Sequence, residues 1–108
     1  MKRLAILVTL AAAGIIAPVS AQDTRNAELA HSNAMLNATY QALMRQLSPA
    51  DQVALRTAER LWISFRDADC AVGWPDRRDC LGQRADERRE QLRTSTYFDA
   101  RGTLVRLP

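Results

Sequence analysis

The chain has 108 residues, with 15 lysines and arginines against 12 aspartates and glutamates, one histidine and two cysteines. One histidine and two cysteines fall short of a structural zinc site, and a chain of this length holds one domain with a modest core. The formal net charge is +3, but two of the basic residues lie at the extreme N-terminus, and the rest are matched almost one for one by acids. That balance leaves no electrostatic footprint for nucleic acid.

In chain order, Lys2 and Arg3 precede an apolar run from Leu4 to Ile16 that only Thr9 and Gly14 interrupt. Val19 and Ala21 then place small residues at the −3 and −1 positions of a cleavage site. Residues 1–21 therefore read as a secretory signal peptide cleaved after Ala21, too short and wrongly flanked for a spanning helix. A retained amphipathic anchor is the alternative, but the polar residues here form no stripe. No cysteine follows the cleavage position, so no stable membrane anchor is expected, and the mature protein belongs in the periplasm or outside the cell. Removing residues 1–21 leaves 87 residues in which 13 arginines face 12 acids and lysine is absent.

Residues 22–28 are polar and read as frayed. From Leu29, the spacing of Leu36, Tyr40, Leu43 and Leu47 predicts a helix over about 25–47, with Met35 and Met44 widening its stripe. Ser48-Pro49-Ala50-Asp51 is a helix start: Ser48 caps, Pro49 fits the first position and Asp51 meets the positive helix end. The second helix is expected to carry Ala54, Leu55, Ala58, Leu61, Trp62 and Phe65 inward and Arg56, Glu59, Arg60 and Ser64 outward. Gly73-Trp74-Pro75 ends it. A third, heavily charged helix is expected from an Asp79 cap to about Arg93, with Asp86–Arg89, Arg84–Glu87 and Glu90–Arg93 pairs on its surface. Beyond it, Asp99-Ala100-Arg101-Gly102 reads as a turn between apolar pairs that fold back on the helices. The fold class is all-α: a three-helix antiparallel bundle with an irregular C-terminal tail, its core over about 29–93 within one domain at 22–108.

Export places Cys70 and Cys80 in an oxidising compartment, which favours a bridge within the chain. An intermolecular bridge and two free thiols are the alternatives. Catalytic chemistry lacks its parts. His31 sits at the start of a helix with no nucleophile-elbow serine in the chain, and Gly73, Gly82 and Gly102 are isolated, so no phosphate-cradling loop exists. Asp67 and Asp69, two apart on a helix, point to different faces. The chain is read as a non-enzyme with no cofactor and no metal. The stretch WISFRDADC then reads as a structural corner: Arg66 lies over Trp62, and Asp69 at the helix end takes a cation from Arg66, Arg77 or Arg78.

Three segments carry a resemblance. LNATYQALM at 36–44, AERLWISFRDADC at 58–70, and Cys80-Leu81 followed by Arg84-Ala85-Asp86-Glu87 resemble the motifs of the LprI-type lysozyme-inhibitor-like family of exported bacterial proteins. The match spans about residues 29–93; relatives often carry a further cysteine pair near the mature N-terminus, and none precedes Cys70 here. The resemblance implies the helical fold, the disulfide, and lysozyme or another muramidase as the partner. The runner-up is a structural or envelope-stress interaction module without inhibitory activity. The interface expected is the loop between the cysteines, with Trp74, Asp76, Arg77 and Arg78 as candidate partner-binding residues; Trp74 tucked under the tail as core is the other option. The disulfide corner is assigned to Arg66, Asp67 and Asp69, and the core to Leu36, Tyr40, Leu43, Trp62 and Phe65.

Overall fold

The structure, a computed structural model, describes residues 20–108. The expected signal peptide lies outside these residues except for Ser20 and Ala21. Helix α1 spans Ala21–Met44, α2 spans Pro49–Asp69 and α3 spans Arg77–Thr94. Among the described residues no helix is long and apolar enough to cross a membrane.

Each helix end has a local cause. Ser20 caps α1 by accepting the Asp23 amide at 3.1 Å, so residues expected to fray are helical. The same helix stops at Met44, short of the expected 47. Gln52, one turn into α2, donates its side-chain amide to the carbonyls of Met44 (2.9 Å) and Leu47 (3.3 Å). Those bonds satisfy carbonyls that a continuing helix would otherwise have used. Ser48 accepts the Asp51 amide at 3.3 Å, with Pro49 at the first helical position as expected. The cap of α3 is Asp76 rather than Asp79: its carboxylate accepts the Arg78 amide at 2.9 Å, which moves the helix start forward by one turn.

Short connections make α1 and α2 antiparallel, and α2 and α3 antiparallel, so α1 and α3 run parallel. Arg78 near the start of α3 reaches Gln22 and Asn26, while Arg89 further along reaches Thr39 at 3.2 Å. These two helices are the most closely apposed, and Ala85, fully buried, lets them approach. The core is Leu36, Leu43, Met44, Leu47 and Leu55 with Ala85 and Leu92; Tyr40, Trp62, Tyr97, Val105 and Leu107 pack around it. The tail does fold back. Asp99 and Thr103 close a turn in which Gly102 adopts φ +82°, Val105 donates to the Tyr97 carbonyl, and Phe98 bridges to Leu104. The Asp99 carboxylate accepts the Thr103 and Arg101 amides, which hold its pKa below the usual value. Arg93 secures the far end by donating to the Pro108 carbonyl at 2.8 Å.

Helix α2 is rotated from its expected setting. Leu55, Glu59, Trp62 and Arg66 face the bundle, while Leu61 and Phe65 face solvent at 67% and 57% exposure. Phe65 is thus not core, although Leu36 and Leu43 are buried and Tyr40 and Trp62 pack against them. The cause is Glu59, expected outside. It meets Arg88 of α3 at 2.5 Å, with side chains only 12% and 10% exposed. Arg88 projects into the angle between α2 and α3, and a guanidinium held there needs a carboxylate.

Because removing one member of a largely buried pair strands the other, Glu59→Ala is expected to cost about 3 kcal/mol in urea unfolding. Phe65→Ala, at an exposed position, is expected to cost less than about 1 kcal/mol. An equal loss for the two variants would contradict the observed rotation.

Candidate functional site

The end of α2 and the start of α3 form one stapled corner. Cys70 and Cys80 are bonded to each other with their Cα atoms 5.6 Å apart, and both are buried. Between them, the Cys70 amide closes the last helical turn on Arg66, and the Ala71 and Val72 amides close tighter turns on Ala68 and Asp69. Gly73 at φ +82° reverses the chain, a conformation in which a side chain would be strained. Trp74 is half-buried, and Pro75 leads into the Asp76 cap.

The charges divide the corner into paired and unpaired parts. Arg66 lies over the Trp62 ring, 5.3 Å from its centroid, as the sequence suggested. Its ion pair, however, is with its neighbour Asp67 at 2.8 Å rather than with Asp69. Asp69 instead receives Arg84 of α3 at 2.9 Å. That cation offsets the carboxylate at a helix C-terminus, the role expected of Arg66, Arg77 or Arg78. The hydrogen bonds from Arg84, to Asp69 first and then to Glu87, hold its guanidinium pKa above the ordinary value. Asp67 and Asp69 are each bound by a different arginine, so they do not form an acid–base pair. The Asp69 carboxylate also lies near both cysteine sulfurs, but those sulfurs are bonded to each other and cannot ligate a metal.

Asp76 and Arg78 are the most strongly engaged pair of the corner. Arg78 donates from its backbone amide, from Nε at 3.0 Å and from a terminal nitrogen at 2.6 Å, all to the Asp76 carboxylate. Arg78 also reaches the Asn26 side chain at 2.8 Å and the Gln22 carbonyl at 3.1 Å, and Arg25 approaches Asp76 at 3.4 Å and Asp79 at 3.5 Å. These bonds tie the starts of α1 and α3 together. They also hold the Asp76 carboxyl far below the usual carboxylate range and raise the Arg78 pKa, the side-chain hydrogen bond between them being the main cause in both cases. Of the loop residues singled out in the sequence, Asp76 and Arg78 are therefore turned to internal bonding. Arg77 has a side chain 52% exposed, with a carboxylate oxygen of Asp67 at 3.9 Å.

A cleft between α1 and α2 went unnoticed in the sequence. Asn33, Asn37, Tyr40, Arg56, Arg60 and Trp62 line it. Only the true rotation of α2 brings the two arginines to the rim opposite the asparagines.

Residues 16–92 match the family model described as Lysozyme inhibitor LprI. The chain belongs to the LprI family. No curated protein and no solved structure matches it. The LprI match takes in all of α1 and α2 and α3 almost to its end, and it stops before the tail hairpin.

Two expectations follow for this corner. In the chain-entropy description a loop closed over 10 residues contributes about 2.5–3 kcal/mol, so Cys70→Ser is expected to lower the unfolding free energy obtained from urea titration by about that amount. The second concerns acid. A carboxyl whose folded-state pKa is depressed stabilises fully above its unfolded value of about 4, and that stabilisation is lost as pH falls toward the folded-state value. Calorimetric melting between about pH 4 and pH 2 should therefore show a steeper fall in Tm for the wild type than for Asp76→Asn, which retains a capping oxygen but has no charge to lose.

Proposed function

We propose that this LprI-family protein is exported and inhibits lysozyme or a similar muramidase, with the loop 71–79 as its inserting element. The observation that carries the reading is the family match over residues 16–92, joined to a loop whose two ends are clamped by one bond. Signal cleavage after Ala21 removes the Ser20 cap of α1 and leaves Asp23 as the anionic residue of its first turn.

Muramidases cleave glycosidic bonds between a pair of carboxyl groups in a substrate cleft. The loop offers a complement to such a cleft. Trp74, stiffened by Pro75, supplies an aromatic anchor, and the exposed side chain of Arg77 supplies a partner for a carboxylate. A loop already fixed by the disulfide and by the Asp76–Arg78 bonds loses little freedom on binding, so less of the interaction energy is spent on ordering it. Long-range attraction adds little, because after signal removal 13 arginines face 12 acids. The α1–α2 cleft is a less suitable inserting element, being concave itself.

The test is a turbidity assay of cell-wall lysis with purified protein and several lysozyme types. The wild type is expected to slow lysis, and Trp74→Ala and Arg77→Ala to weaken inhibition at least about 10-fold with Tm unchanged. Lysis that proceeds at the same rate under a large molar excess would leave the protein as a non-inhibitory envelope interaction module. If Trp74→Ala instead unfolds the protein as badly as a core truncation, Trp74 is core and the loop is not the interface.

A further inference from the structure

The rotation of α2 leaves an apolar stripe without an intramolecular partner among the described residues. Ala54, Ala58, Leu61, Phe65 and Ala68 follow one another at alternating steps of four and three, and all are exposed; Val72, 72% exposed, continues the series in the turn beyond the helix. This is the a/d spacing of a coiled-coil seam, about 27 Å long at 1.5 Å per residue. The positions beside it on the outer flank, Thr57, Ser64 and Ala71, are small and uncharged, so nothing hinders the approach of another helix.

We infer that this seam pairs with the same seam of a second copy, antiparallel, about a two-fold axis passing beside Ile63 and Ser64. The order of residues is self-complementary in that arrangement. Antiparallel seams place a positions against d positions. Leu61 then meets the partner copy's residue at position 65, Ala58 meets position 68, and Ala54 meets position 72. Large side chains fill the centre, where the two helices cross, and small ones lie on either side of it.

Phe98, 52% exposed and next to Ala54 and Ala58 in the groove between α2 and the tail, extends the apolar face at the end where position 72 of the second copy arrives. Leu61, Phe65, Val72 and Phe98 together offer roughly 500 Å² per copy, or about 1,000 Å² for the pair, which is the lower bound for a specific interface. A weak, reversible dimer is expected, with the two Trp74 loops at opposite ends.

Sedimentation equilibrium over a concentration series is the test, with the purified protein in its oxidised form. The wild type is expected to pass from monomer to dimer. Phe65→Glu should weaken association at least about 30-fold with helicity and Tm unchanged, since the position is exposed. Leu61→Glu, on the same stripe and 67% exposed, should weaken it comparably. A wild type that stays monomeric up to millimolar concentration overturns the inference, and so does a dimer indifferent to Phe65→Glu. If Phe65→Glu abolishes muramidase inhibition by a monomeric wild type, the seam belongs to the muramidase interface and the homodimer is refuted. Inhibition and dimerisation are read in separate assays, so failure of one leaves the other standing.

Discussion

The ion pair between Glu59 and Arg88 sets the angular position of α2, and most of what distinguishes this bundle depends on that angle. An arginine whose side chain is only 10% exposed cannot be left unpaired without a large desolvation cost. Pairing it from α2 turns Leu55 and Trp62 toward α1 and turns Leu61 and Phe65 away. The same rotation brings Arg66 over Trp62, so the ring is capped by a cation and kept from full solvent contact. Burial of the largest apolar side chains did not win here, because a partly buried charge costs more to strand than a phenyl ring costs to expose.

At the other end of α2 the bridge and the Asp76–Arg78 pair work as one unit. The bridge limits how far the ends of the loop can separate, and the arginine fastens the start of α3 to α1 through Gln22 and Asn26. Each alone would leave a hinge. Together they turn a connection that contains Gly73 into a firm support for Trp74 and Arg77, the arrangement that binding a cleft by insertion requires. The proposed inhibition and the inferred self-association call on different surfaces of the same helix pair: the loop at the end of α2 for one, its flank for the other.

The tail occupies the remaining opening. Tyr97, Val105 and Leu107 cover core residues that three helices of these lengths leave uncapped, and the family match ends before them. A three-helix domain of this size has little interior to spare, and a hairpin that adds three apolar side chains to it is a substantial gain. Its closure rests on Asp99, whose carboxylate organises the turn, and on the Arg93 bond to the last residue.

What the sequence determined by itself was whatever local chemistry decides. The Ser48-Pro49 start of α2, the end of that helix at Asp69, the turn at 99–102, the Arg84–Glu87 and Glu90–Arg93 pairs and the position of Arg66 over Trp62 all involve residues within a few positions of each other. The motif WISFRDADC and its neighbours also carried the family. Only the tertiary structure decided the partners of charges that lie far apart in the chain. Glu59 found Arg88, Asp69 found Arg84, and Arg78 found Gln22 and Asn26. Periodicity places apolar residues on a helix face but does not fix which side of a broad face turns inward, since Leu55, Trp62, Leu61 and Phe65 all lie within one wide arc. The long-range ion pair broke that tie. An apolar stripe that reads as core in the sequence became surface because Glu59, expected outside, turned inward to meet Arg88 of α3.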